Sequence, residues 1–252
     1  MTMNCIAVIP ARFNSTRFPG KPLADLGGKP VIQWVYEHAC EVFNTVIVAT
    51  DDIRISEAIG KFGGKVVMTL ASHQSGTERC AEAVRIAEEQ FAATFDAVVN
   101  IQGDEPFIQP SQLKLVEACI ARPDAQIATL VRPLLDRQEL FDPNKPKVVL
   151  NRKGEAIYFS RSVIPYIRGI DAPDWPDHHN YFIHIGLYAF RRDILDAITI
   201  LEGAPLETAE SLEQLRWIEN GYRISVEITD FESFGIDTPE DLAKAIEKLG
   251  RL

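Results

Sequence analysis

Ile6-Ala-Val-Ile-Pro10-Ala-Arg12-Phe-Asn-Ser-Thr-Arg17-Phe-Pro-Gly20-Lys21-Pro-Leu23 begins as an apolar strand and breaks into a loop holding three cations within ten residues. In a chain whose net charge is −10, such a cluster calls for an anion. A loop of this kind at the end of the first strand of an α/β sheet is where nucleotide phosphates are gripped by Lys, Arg and backbone N–H groups. The ligand expected is therefore a triphosphate. No GxGxxG follows the strand, which disfavours a dinucleotide-dependent oxidoreductase.

Short runs rich in β-branched residues recur at Cys5–Pro10, Thr45–Thr50, Lys65–Met68, Ala97–Ile101 and Ile127–Val131, separated by helix-period segments. That alternation predicts an α/β fold, a mixed, mainly parallel sheet flanked by helices. Cys80, Val84, Ala87 and Phe91 share one face of a helix over 77–91, and Leu113, Val116 and Ile120 share one face of another over 111–121. From about residue 133 prolines punctuate strand-like pieces at Lys147–Leu150 and Ala156–Phe159, which predicts a hairpin-rich insertion. An exposed loop over 169–180, a strand at Tyr181–Phe190, helices at 209–220 and 238–249 and a strand at Arg223–Thr229 complete the reading. The expectation is a single domain over 1–252, with 133–190 as an inserted subregion.

The 252 residues suffice for a substantial core, and 46% hydrophobic with 25% charged residues is an ordinary globular composition. The acidic balance argues against nucleic-acid or anionic-membrane partners, so an anion must be drawn in by a local patch. Cys5, Cys40, Cys80 and Cys119 form no CxxC pair, and all four are read as small buried hydrophobes in a reducing compartment. The start Met1-Thr-Met-Asn-Cys5 has no charged region ahead of a long apolar core, and no apolar run is long enough to cross a bilayer, so the expected location is cytoplasmic.

Arg12, Arg17 and Lys21 can pair with phosphate oxygens, and Gly20 lets the backbone turn close to a ligand within a loop stiffened by Pro10, Pro19 and Pro22. Asp51 and Asp52, after Ala49 and Thr50, either meet the nucleotide or cap the helix that begins near Ile53; both readings stand. Ser75 and Glu78 satisfy a capping box, which leaves Gly76 and Arg79 for ligand contact. Asp104 in Gln102-Gly-Asp104-Glu105-Pro106 sits at the carboxyl end of a strand, where a carboxylate suits Mg²⁺ or is simply a solvated turn residue. In Gly235-Ile-Asp237-Thr-Pro-Glu-Asp-Leu242, Thr238, Pro239 and Asp241 make a helix start, and Asp237 is left over for a metal or for the helix dipole. Strand alternation puts His184, Gly186 and Tyr188 on one face. Glu213 and Gln214 flank the apolar Leu212, Leu215 and Ile218, so both can point away from the core.

The first loop, in the form ARxxSTRxPGKPL, resembles the signature of the sugar nucleotidyltransferases and, among them, of the 3-deoxy-manno-octulosonate (KDO) cytidylyltransferase family. SGTER at 75–79, NIQGDEP at 100–106, YFSRSVIPY at 158–166, HIGLYAFRR at 184–192, ESLEQLR at 210–216 and GIDTPEDL at 235–242 resemble its other blocks, in order and over nearly the whole chain. Phe18 stands where leucine is expected, but every charged member is kept. The resemblance implies the nucleotide-diphospho-sugar transferase type of Rossmann-like fold, transfer of a cytidylyl group from CTP to KDO for lipopolysaccharide synthesis, Mg²⁺ as cofactor, and a homodimer with 133–190 as a sugar-binding and dimerisation subregion. It implies that Asp104 and Asp237 bind the metal, and that Arg12 and Lys21 offset the triphosphate charge. Ala11, Thr50, Asp51, Ser75, Gly76, Arg79 and Gln102 would then contact the nucleotide. Arg17, Gln102, Arg161, His184, Tyr188, Glu213 and Gln214 would contact the sugar acid. Another acidic sugar, such as an amino-KDO or a sialic acid, and a catalytically silent sugar-nucleotide sensor are the rival readings; the different first loop of sialate synthetases argues against the sialic acid.

Overall fold

A strand that is apolar at every position is one covered on both faces. In the computed structural model, which describes residues 3–232 and 234–250, Ile6 to Ile9 have no solvent exposure. Met1 and Thr2 of the N-terminal segment lie outside the described residues. The elements run β1 (Cys5–Ala11), β2 (Asp25–Leu26), β3 (Lys29–Pro30), α1 (Val31–Cys40), β4 (Thr45–Thr50), α2 (Ile53–Lys61), β5 (Val66–Met68), α3 (Gly76–Phe91), β6 (Ala97–Asn100) and α4 (Pro110–Ile120). They continue with β7 (Ile127–Pro133), β8 (Lys147–Leu150), β9 (Ala156–Ser160), α5 (Trp175–His178), β10 (Phe182–Arg191), α6 (Arg192–Thr199), α7 (Pro205–Glu210), α8 (Gln214–Glu219), β11 (Ile224–Ile228) and α9 (Pro239–Leu249). No helix among the described residues is long and apolar enough to cross a membrane. The chain divides into two compact units, Met1–Glu117 with Ser233–Leu252, and Ala118–Glu232.

In the first unit β1 lies between β4 and β6, and β5 flanks β4, every pair parallel. The register sets Ala11 against Thr50 and Val8 against Asn100. The carboxyl ends of these strands therefore release their loops on one side, the place where open α/β sheets bind ligands. Helix α3 packs on β1 and β6, and α1 on β1 and β4. A separate core of Leu26, Val31, Phe107, Ile236 and Ala245, with Phe234, Leu242 and Leu249 packed on it, ties the segment before α9 to the loop after β6. Complete burial of a side chain such as Ile236 stabilises by about 1.5–3 kcal/mol.

In the second unit β7 pairs in parallel with β11 and antiparallel with β10, and β8 pairs antiparallel with both β10 and β9. The β8–β9 hairpin is the one the proline-rich texture predicts. A bulge in β10 between Ile185 and Tyr188 interrupts the ladder.

The expected fold class is the one observed, with four local corrections, the first being that the segment 169–180, expected as an exposed loop, contains α5 with Trp175 buried. The helix expected over 209–220 is two helices, because Ser211 takes a left-handed conformation (φ 51°) between α7 and α8; a non-glycine residue there ends a helix. The strand placed at Tyr181–Phe190 runs one residue later, over Phe182–Arg191. Cys40, expected to be buried, is exposed: it lies at the last turn of α1, off the stripe of Val31, Ile32, Val35 and Ala39 that is buried. The other three cysteines are buried, and none of the four is in a disulfide.

Candidate active site

The cationic loop folds back on itself before its lysine. Phe13 O accepts from Ser15 N–H (3.0 Å) and Gly20 N–H (2.8 Å), and Gly20 adopts a positive φ of 74° that admits glycine readily. A single 3₁₀ turn, Lys21–Leu23, follows with Pro22 buried. The Phe13 ring is the hinge pin of this fold. A Cβ on Gly20 would lie 3.1 Å from it, and the Arg54 guanidinium stands 3.3 Å from its centroid. Arg54 in turn is held by Asp52, which also caps α2 through Arg54 N–H.

The lysine so placed meets both expected metal carboxylates. Lys21 Nζ donates to Asp104 Oδ2 and, at 3.0 Å, to Asp237 Oδ1. Arg17 sits 3.0 Å from Asp237 Oδ2. The two aspartates come from loops far apart in sequence, and one backbone bond accounts for their meeting: Ile236 N–H donates to Asp104 O at 2.9 Å, while the Ile236 side chain is fixed in the core described above. Thr238 and Asp241 complete the predicted capping box of α9, which holds Asp237 one residue outside the helix. Burial alone would lower the Lys21 pKa, but the charge and hydrogen bond of Asp104 and those of Asp237 outweigh it and raise the ammonium above its ordinary value.

A cleft of about 360 Å³ adjoins this pair, lined by residues that include Pro10, Ala11, Arg12, Lys21, Gly76, Arg79, Gln102, Gly103 and Asp104. Six of the expected nucleotide residues thus line one cavity. Arg79 is 1% exposed; its Nη1 donates to Thr69 Oγ1 at 2.6 Å and lies 3.4 Å from Asp51. Its Nη2 has no hydrogen-bond partner among the described residues. Burial pushes the Arg79 pKa down, the Asp51 charge opposes this, and nearby Arg12 adds to it. A buried cation short of partners is suited to an anionic ligand.

Thr50, Asp51 and Ser75, also expected at the nucleotide, have structural work. Thr50 Oγ1 accepts from Asp52 N–H (3.2 Å), Asp51 faces Arg79, and Ser75 Oγ caps α3 through Glu78 N–H (3.2 Å). The reciprocal half of the expected capping box goes elsewhere: Glu78 Oε2 accepts from Gln74 N–H at 2.8 Å. Gly76 packs against the strand, since a Cβ there would stand 3.3 Å from the Pro10 ring.

The second unit carries the other expected sugar contacts. His184 Nε2 is 3.0 Å from Thr129 Oγ1, and its ring stands 5.1 Å from Phe159 and 5.2 Å from Tyr188. Burial pushes its pKa down to about 3, so the imidazole is neutral near pH 7. Burial, assisted by the Glu213 charge, raises the Tyr188 phenol well above its ordinary value. Arg161 is committed to the backbone: Nε donates to Glu210 O (2.6 Å), Nη1 to Pro143 O (2.9 Å) and Nη2 to Ser211 O (3.2 Å). Gln214, expected to face outward, is 5% exposed, because the break at Ser211 sets a new rotation for α8 with Gln214 and Leu215 both turned inward. Tyr188 Oη and Gln214 Nε2 are buried with no hydrogen-bond partner among the described residues.

Over its whole length the chain is similar to known proteins. The sequence profile of the cytidylyltransferase family matches residues 6–228. The 3-deoxy-manno-octulosonate cytidylyltransferase of Parabacteroides distasonis is 56% identical over 248 residues, 97% of each chain. The chain belongs to this family. The cytidylyltransferase of the same name from Bacteroides thetaiotaomicron is 56% identical over 98% of each chain. A solved CMP:2-keto-3-deoxy-manno-octonic acid synthetase complexed with CTP superposes with a TM-score of 0.88 at 39% identity, covering 98% of each chain.

For this cytidylyltransferase two residues matter that the motifs alone do not single out. Gly103 has to be glycine, since a Cβ would lie 2.9 Å from Pro10 O and 3.0 Å from Ile32 Cδ1; it lets the Asp104 loop pass against β1. Phe13, in the loop after β1, is the other, and its neighbour Arg54 lies in α2. The signal for Gly103 was present in the Gln-Gly-Asp spacing after a strand, but not its cause. No cluster of three or more His, Cys, Asp or Glu among the described residues could hold a metal. Two converging carboxylates nonetheless fit Mg²⁺, which is commonly held by one or two carboxylates with phosphate oxygens and water completing its shell.

Proposed function

We propose that this chain transfers the cytidylyl group of CTP to KDO, giving CMP-KDO and diphosphate for lipopolysaccharide assembly. The observation that carries the reading is the meeting of Asp104 and Asp237 on Lys21, at the wall of a cleft that also holds Arg12 and Arg79. The anomeric hydroxyl of the sugar acid would attack the α-phosphorus in line with departing diphosphate. Asp104 and Asp237 would hold Mg²⁺, whose chemistry is to offset phosphate charge and lower the pKa of an oxygen bound to it. Arg12 and Lys21 would stabilise the leaving diphosphate electrostatically, and the fixed charge of Arg79 would orient it. Gly76 and Gly103 allow close approach to the backbone, while Ala11 and Gln102 line the nucleotide's path.

Arg17 and Gln102, and also Arg161, His184, Tyr188, Glu213 and Gln214, are proposed as acceptor contacts. The Tyr188 hydroxyl and Gln214 Nε2, without hydrogen-bond partners among the described residues, support this, since a ligand rich in hydroxyls would satisfy buried polar atoms that are otherwise costly. We further propose a cytoplasmic homodimer of single domains over 1–252, with 133–190 contributing to sugar binding and dimerisation. Exposed Leu135, Ile157 and Tyr166 in that segment support it; a monomer in sedimentation at micromolar concentration would refute it.

The test of the reaction is diphosphate release from CTP and KDO. Asp104→Asn and Asp237→Asn each lower the rate by about 10²–10³ with the fold intact, the usual effect of removing one positioned charge. Near-normal turnover at saturating Mg²⁺ in either variant sinks the metal assignment, and no turnover of KDO by the native enzyme sinks the reaction.

A further inference from the structure

We propose that Lys21 guards the Asp104–Asp237 pair, so that a divalent cation enters only with a nucleotide triphosphate that draws the ammonium away. Resting on the assignment of the two aspartates as metal ligands, this goes on to the order in which metal and nucleotide arrive.

Lys21 Nζ contacts one oxygen on each aspartate, and Arg17 takes the second oxygen of Asp237. Two carboxylates thus face two cations, and the pair is already neutralised. A metal seeking the same oxygens must displace Lys21 or sit against it as a like charge, which is unfavourable at such range. The lysine has little room to withdraw by itself. Its backbone is held by the Gly20 turn and buried Pro22, and its side chain is 15% exposed. What can draw it off is a stronger anion on its other side. The cleft that Lys21 lines also presents Arg12 and the under-partnered Arg79, so a polyphosphate there would carry more negative charge toward Nζ than the aspartates do. Once the ammonium turns to phosphate, the one oxygen it held on each aspartate is left to a cation that the phosphate itself helps bind, while Arg17 keeps the other oxygen of Asp237. Metal and nucleotide affinities are then reciprocally coupled.

The experiment is Mn²⁺ binding, followed by electron paramagnetic resonance of the free ion, to nucleotide-free protein. Lys21→Met, with Lys21→Gln as a second neutral variant should the first fail to give a native circular dichroism spectrum, binds Mn²⁺ more tightly than wild type. The gain expected is about tenfold or more, equivalent to ~1.4 kcal/mol of coupling. It disappears when Asp104→Asn is added, and Lys21→Arg, which keeps the cation, behaves as wild type. Neutral variants that bind Mn²⁺ no more tightly than wild type overturn the proposal, as does a wild type that binds equally well with and without CTP. If Asp104→Asn and Asp237→Asn lower Mn²⁺ binding in the CTP complex while Lys21→Met gains nothing, only the guard fails. If those two substitutions leave Mn²⁺ binding in the CTP complex unchanged, the metal assignment fails and the guard with it.

Discussion

Gly103→Ala puts one methyl group where the backbone has no room. The added Cβ would stand 2.9 Å from Pro10 O, 3.0 Å from Ile32 Cδ1 and 3.4 Å from Ile9 Cγ2. The isoleucine methyl can rotate, but the carbonyl is held back, because Pro10 lies in β1 in register with Ala49 of β4. The loop itself must therefore retreat by about half an ångström to reach ordinary contact, and Asp104 is the next residue along it. Overpacking of this kind costs about 1–3 kcal/mol, and at ~2–4 °C per kcal/mol for a chain of this size the melting temperature falls by roughly 2–12 °C. Catalysis should suffer separately. If a misplacement of 1 Å costs about 10²-fold, half of that costs roughly tenfold in kcat. The assay is diphosphate release at saturating CTP, KDO and Mg²⁺, beside a thermal melt. Gly60→Ala is the control: it lies in α2 with nothing within 4 Å of its would-be Cβ, and it is expected to leave both readouts unchanged or to stabilise slightly. A Gly103→Ala protein that melts within about 1 °C of wild type and keeps full kcat refutes the claim that this contact sets the position of Asp104.

Two further outcomes concern the second unit. His184 is held neutral by burial, with its pKa near 3 against an ordinary 6.5, so the unfolded chain binds the extra proton between those values. Stability is full above pH 6.5 and falls as pH drops, by at most about 1.4 kcal/mol per pH unit; urea denaturation at pH 7, 6 and 5 should show a shallower fall in His184→Asn, and an equal slope in both proteins rules the effect out. Arg132 is 3% exposed and pairs through both Nη atoms with Glu139. Burial would raise the Glu139 pKa, but bonds from Arg132, Lys145 and Leu135 N–H hold it near 2. Arg132→Met leaves that buried carboxylate short of its main partner and destabilises by about 3 kcal/mol, the low end for a broken buried pair because Lys145 remains; a loss under about 0.5 kcal/mol in urea would count against the pairing.

Much of the candidate site was legible where chemistry and spacing are local. Thr238, Pro239 and Asp241 announce the start of α9 within four residues, and the cap forms as read. The strand–cation loop is equally direct, since Ile6 to Ile9 and the three cations are contiguous. Legibility ended where a backbone dihedral or a distant neighbour decides the outcome. Nothing in Glu210-Ser-Leu-Glu-Gln-Leu-Arg216 tells that Ser211 will adopt a positive φ, and with that one angle Gln214 turns from the outer face to the inner. Glu78 carries the capping-box spacing, yet its carboxylate serves Gln74, because the side chain meets whichever N–H the preceding loop presents.

The α/β class, the cationic first loop and the helix starts thus followed from the sequence alone, because hydrophobic period, cap chemistry and charge act between residues a few positions apart, whereas the choice of Asp104 and Asp237 among the carboxylates rested on the family resemblance. That Asp104 and Asp237 meet was decided only by the tertiary structure: they reach Lys21 across 83 and 216 residues. Their convergence depends on a strand register, on an Ile236 side chain buried in a remote core and on one backbone bond from Ile236 to Asp104, each a contact between segments that carry no local trace of one another.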